Sequence, residues 1–238
     1  MILRWLVKRL KEGGRLQQVI PRQKAARAKA SFWTDARATE EGAWIGGFLK
    51  VSDDLKQCPW FALEVTEDWA PWVNVRGRNP KRVIAALELL GTILAVKIWG
   101  GAAGTDMEGC LEAFTDNKGN MFALKRGMST KYPLTILLME LSEVLRKSDC
   151  NLDLRWVKRD ENQDADDLSN LEFKNFDMSR RVDINGKELE WLVFEQMDEA
   201  SRKLYERLNE EKSAAADRKR KLEATSKGRK AMKILPKW

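Results

Sequence analysis

Four carboxylates stand where chemistry can use them: Asp35, Glu88, Asp116 and Asp166. Glu88 sits inside VIAALELLGTILAVKIW (83–99), an otherwise apolar, proline-free run that predicts a helix buried on most of its circumference. Burying a lone carboxylate is costly unless something pairs with it or binds it. On its helical face lie Ile84, Ala85, Gly91, Thr92 and Ala95, mostly small, so this side can lie close to a sheet, with a basic side chain or a metal ion meeting the carboxylate. Asp35 and Asp116 each follow a Thr at the end of an expected strand, and Asp166 lies in a polar helix after the last strand. Strand ends and a facing helix are where an open sheet collects ligands. The chain has no histidine. That removes His-based acid–base work, catalytic triads and the usual zinc sites. Oxygen ligands alone favour Mg²⁺ or Mn²⁺. Four convergent carboxylates suit two such ions about 4 Å apart, which activate a water and stabilise the leaving oxygen in phosphodiester cleavage. Each residue also has a plainer reading. Asp35 and Asp116 suit turns or caps, Asp164, Asp166 and Asp167 suit a solvated helix face, and Glu88 suits a salt bridge to an Arg.

The elements that must position these groups follow from the patterning. SFWTDARA reads as a short strand ending near Asp35, with Trp33 and Asp35 on one face and Phe32 and Thr34 on the other. AWIGGFLKV (43–51), whose Gly46-Gly47 marks a bulge or close packing, and PWFALEV (59–65) complete an antiparallel meander. Asn79 and Pro80 suit the cap and first turn of the 83–99 helix. CLEAFTDN (110–117) is a fourth strand, 117–127 a short helix, 132–147 a longer amphipathic helix and LDLRWV (152–157) a fifth strand. ENQDADDLSNLEF (161–173) opens a polar helix, RVDI (181–184) is a weak strand, and a long charged helix follows from 187 to about 224. The order predicts an α/β domain with a mixed sheet.

The charge is unevenly placed. Residues 1–30 carry a net +8, residues 217–238 a net +7, and the body between them a net −8. Basic ends suit phosphate backbones, or are simply solvated termini. Residues 2–10 have the spacing of an amphipathic helix ended by Gly13-Gly14, and 15–30 read as a basic linker. The start is abrupt, as though part of a larger protein preceded it. Cys58, Cys110 and Cys150 are far apart and no CxxC occurs, which points to a reducing compartment, cytoplasmic or nuclear. Arg4, Lys8, Arg9 and Lys11 break up the first apolar stretch, so no signal peptide is read. The 83–99 run is short for a membrane span and contains Glu88 and Lys97. Most of the ten tryptophans are expected in core and rim packing.

Taken together, Thr34-Asp35-Ala36, Leu87-Glu88-Leu89, Thr115-Asp116-Asn117 and Asn162-x-x-Ala165-Asp166-x-Leu168-Ser169 form a series. In order and approximate spacing it resembles the RNase H domain of retroelement (retrotransposon) reverse transcriptases. The last element is its most distinctive piece. The resemblance implies an RNase H-like fold over 31–176, with a five-stranded mixed sheet of three antiparallel strands then two parallel ones, flanking helices, and helical extensions at both ends. Residues 1–30 would be the remnant of a polymerase connection, 177–224 a long charged helical extension and 225–238 a basic tail. It implies that Asp35, Glu88, Asp116 and Asp166 ligate two Mg²⁺ or Mn²⁺ ions, with Asn162 supporting the last helix. The activity implied is endonucleolytic hydrolysis of the RNA strand of an RNA/DNA hybrid, leaving a 3′-hydroxyl. Recognition of 2′-hydroxyls would select that strand. Asn117 would be a contact to it, and Lys125, Arg126 and Lys131 would meet DNA phosphates. Many relatives carry a His before the Asn-x-x-Ala-Asp element; here that loop, Trp156–Glu161, has none. The competing readings are a catalytically inactive RNase H-like module that binds nucleic acid, and a DNA-acting relative of transposases.

Overall fold

The structure, a computed structural model, describes residues 31–74, 80–100, 110–129, 131–148 and 150–232, together with Val7 and Lys11. The helix and linker expected over 1–30, the Asn79 cap and residues 233–238 lie outside these. Five strands form one sheet in the order β3-β2-β1-β4-β5. They are β1 (Ser31–Ala38), β2 (Ala43–Lys50), β3 (Trp60–Glu64), β4 (Cys110–Thr115) and β5 (Asn151–Trp156). β1 pairs antiparallel with β2 and β2 with β3, whereas β1 with β4 and β4 with β5 are parallel.

β1 is buried on both faces, as a central strand between two helical layers must be. On one face Phe32 packs on Trp99 with ring centroids 6.1 Å apart. That face belongs to helix α1 (Pro80–Trp99), whose residues 86–96 are buried without a break. The other face carries Trp33, stacked 4.3 Å from Phe114, and Asp35. β1 runs on to Ala38, past the expected end at Asp35, because Ala36–Ala38 pair with Ala43–Ile45 across the hairpin. Asp35 is therefore an interior strand residue.

Beyond β4 come α2 (Lys118–Arg126) and α3 (Leu134–Lys147), the second packing against α1. The polar helix expected over 161–173 is shorter: a 3-10 turn, Arg159–Asn162, leads into α4 (Gln163–Ser169). This helix lies against β2 so closely that a Cβ on Gly46 would stand 2.6 Å from both Leu168 Cβ and the Ser169 nitrogen. The register is unbroken there, Asp35 opposite Gly46 and Thr34 opposite Gly47, so the glycine pair serves close packing rather than a bulge. Phe48, Trp60, Leu168 and Phe176 form a second, smaller core on this side.

The weak 181–184 strand reduces to a single bridge, Arg181 against Trp60. The last helix, α5 (Phe194–Met232), begins later than the expected 187 and runs on into the stretch expected as a basic tail. Glu140 sets the late start. Fully buried on α3, it accepts hydrogen bonds from the backbone N–H groups of Leu192, Val193 and Phe194, and Lys97 Nζ lies 3.2 Å away. Leu189, Leu192 and Met197 pack on the main core and Phe194 is part of it, whereas Leu208 is exposed.

Candidate active site

The register explains how Asp35 and Asp116 approach one another. The parallel pairing of β1 with β4 is last seen at Trp33 opposite Phe114. Two residues further on, both chains present an aspartate. Glu88 arrives from the N-terminal half of α1 and Asp166 from the first turn of α4. Three of these carboxyls, Asp35, Glu88 and Asp116, are pushed upward. Burial, then the charges of Asp116 and Asp166, push the Asp35 carboxyl up to about 7. Burial, then Asp35 and Asp116, push Glu88 up to about 8. Asp116, less buried, is also raised, by burial first and with Asp166 adding to it.

Neutral donors orient Asp35, Glu88 and Asp166. Ser169 Oγ donates to Asp35 Oδ2 at 3.0 Å, and Asn162 Nδ2 lies 3.5 Å from Oδ1 while also meeting the Thr34 carbonyl. Asn120 Nδ2 donates to the Ala85 carbonyl at 2.8 Å and reaches Glu88 Oε2 at 3.5 Å. Asn117 caps α2, accepting from the Asn120 N–H, and its side chain also hydrogen-bonds Glu88. Asn170 Nδ2 donates to Asp166 Oδ2 at 2.9 Å. The Trp156 indole N–H donates to the Asp116 carbonyl at 2.9 Å, and Lys118 Nζ sits 3.9 Å above the same ring. The one cation in direct contact among the described residues is Arg159, whose Nη2 is 2.9 Å from Asp166 Oδ1.

The structure thus brings Asp35, Glu88, Asp116, Asp166, Asn117 and Asn162 into one neighbourhood. Lys125 and Arg126 are exposed in the last turn of α2, about 12 Å along the helix from Asn117, and Lys131 is exposed beyond it. Sequence reasoning did not single out Arg159, Ser169, Asn120 and Asn170 as site residues. Ser169 had a signal, three residues after Asp166 and so on the same helical face.

Among the described residues, no three His, Cys, Asp or Glu side chains already stand close enough together to hold an ion. The donor chemistry nonetheless suits one. Asp35 and Glu88 are 6% and 7% exposed, and among the described residues neither has a cation in salt-bridge contact. Asn162 Oδ1 is buried without a hydrogen-bond partner beside Asp35. Every candidate ligand is an oxygen, the set a hard divalent ion takes.

The sheet has the expected architecture, three antiparallel strands followed by two parallel ones, with flanking helices. No family model and no curated protein matches the chain. Solved structures similar to it include LC11-RNase H1, isolated from compost by a metagenomic approach, at 17% identity and TM-score 0.45, covering 61% of this chain and 95% of that one. LC11-RNase H1 in complex with an RNA/DNA hybrid gives 16% identity and TM-score 0.43, over 60% of this chain and 94% of that one. RNase H1 from the halophilic archaeon Halobacterium salinarum gives 15% identity and TM-score 0.39, over 61% and 98%. Among the described residues, no helix is long and apolar enough to cross a membrane.

Proposed function

We propose that this chain is a divalent-metal-dependent endonuclease that hydrolyses the RNA strand of RNA/DNA hybrids, derived from a retroelement reverse transcriptase. The observation that carries the reading is two buried, mutually repelling carboxylates, Asp35 and Glu88, which face Asp116 and Asp166 and have no cation of the described residues in salt-bridge contact with either of them. Such a group is costly without a counter-charge, and a pair of hard cations supplies one. Asp35, Glu88, Asp116 and Asp166 would hold the ions. A divalent ion held there would supply Lewis-acid activation of a water and stabilisation of the charge on the departing oxygen of a phosphodiester.

The chain's own residues prepare that site. Ser169 and Asn162 aim Asp35, Asn117 and Asn120 aim Glu88, and Asn170 aims Asp166. Asn117, at the N-terminus of α2 beside Glu88, would also contact a 2′-hydroxyl of the RNA strand. Lys125, Arg126 and Lys131 form an exposed basic flank suited to the phosphates of the second strand. The residue series from Thr34-Asp35-Ala36 to the Asn162–Ser169 element supports the choice of substrate and of origin. The test is incubation of the purified chain with Mg²⁺ or Mn²⁺ and a hybrid labelled on each strand in turn. Cleavage confined to the RNA strand and stopped by chelator is expected; equal cutting of both strands, or of duplex DNA, contradicts it.

A second reading has an observation of its own. Where many relatives place a histidine, the Trp156–Glu161 loop places Arg159, and its guanidinium already occupies Asp166. A module that binds hybrid without turnover would show salt-sensitive binding and no product.

A further inference from the structure

We propose that Arg159 is the resident counter-ion of the carboxylate cluster, and that a divalent cation must displace its guanidinium from Asp166 to load the site. The inference rests on the metal-dependent reading above. Arg159 opens the 3-10 turn Arg159–Asn162, and its side chain is 75% exposed against 17% for Asp166. Little packing holds the guanidinium, so the contact with Asp166 Oδ1 at 2.9 Å is what keeps it there.

The two oxygens of Asp166 are treated differently. Oδ2 accepts from the neutral Asn170 amide at 2.9 Å. That donor can stay when a cation arrives. The guanidinium cannot, because two like charges on one half-buried carboxylate repel. The turn is built for such an exchange. Its last residue, Asn162, is buried and tied to Asp35 and the Thr34 carbonyl, while its first, Arg159, faces solvent. The loop can therefore release Asp166 without disturbing Asp35. A released guanidinium remains beside the site, where a phosphate is its natural next partner.

The experiment is Mn²⁺ binding to the full chain, read by the electron paramagnetic resonance of free Mn²⁺, for wild type, Arg159→Gln and Arg159→Lys. Arg159→Gln is expected to bind Mn²⁺ about 3- to 10-fold more tightly than wild type. Arg159→Lys, which keeps the charge, is expected closer to wild type. Binding by wild type with no gain in Arg159→Gln overturns this proposal and leaves the metal site standing. No Mn²⁺ binding by any of the three overturns both. Arg159 is exposed, and unchanged melting of the ion-free variants would show that the affinity difference does not come from misfolding.

Discussion

Asp35 and Glu88 hold charge where charge is expensive, and this makes the ion-free chain pH-sensitive. Folding raises both carboxyls, to about 7 and about 8, so the folded state binds their protons more tightly than the unfolded state does. The stability this confers is fully present below the ordinary carboxylate range and is lost as pH rises through those values. With chelator present, the melting temperature is expected to fall between about pH 5 and about pH 9, and Glu88→Gln to flatten the fall. Scanning calorimetry across that range checks it, and a profile already flat in wild type contradicts it. Ser169 tests the same group from its other side. Its hydroxyl lowers the Asp35 pKa, so Ser169→Ala is expected to raise it further, as read by carboxyl carbon chemical shifts.

At the scale of elements, Gly46 is decisive for the seating of α4 and Glu140 for that of the segment before α5. Gly46 lets α4 approach β2, and its pair across the sheet is Asp35. Gly46→Ala is expected to lift residues 168–169, cost about 1–3 kcal/mol in denaturant unfolding, and separate Ser169 from Asp35. Glu140 is a second such point. Its replacement by Ala leaves the N–H groups of 192–194 without their acceptor and Lys97, which also donates to the Glu190 carbonyl, without its buried carboxylate, an expected loss of about 3–5 kcal/mol by the same measurement. These contacts mark where sequence reading ran out. The strands were legible because alternation such as Phe32/Thr34 against Trp33/Asp35 encodes two faces. The buried helix was legible because Glu88 is the exception in an apolar run. ELEWLV (188–193) has helical spacing, yet Glu140, distant in sequence, takes its backbone donors, so tertiary contact overrides local preference. Arg159 was illegible as a site residue for a like reason: its contact depends on a 3-10 turn that folds it back seven residues onto Asp166.

Across the whole molecule, an acidic body is set between ends of net +8 and +7. In the proposed function a hybrid would approach a site of four carboxylates, so basic surface elsewhere would have to offset that repulsion. Hybrid binding is accordingly expected to weaken steeply with salt, and neutralising Arg218, Lys219, Arg220 and Lys221 to Gln to reduce the slope of log affinity against log salt. Fluorescence anisotropy at several salt concentrations reads this, and an unchanged slope would assign the contacts to other basic residues. The central claim is that the four carboxylates act together as one ion-dependent hydrolytic site. It is tested most directly by cleavage of an RNA-labelled hybrid in Mn²⁺ by wild type beside Asp116→Asn, a near-isosteric change that removes one charge from the cluster. The expected result is RNA cleavage by wild type and a loss of at least about 100-fold in the variant with hybrid binding retained. Cleavage by the variant at the wild-type rate, or none by wild type, would contradict it.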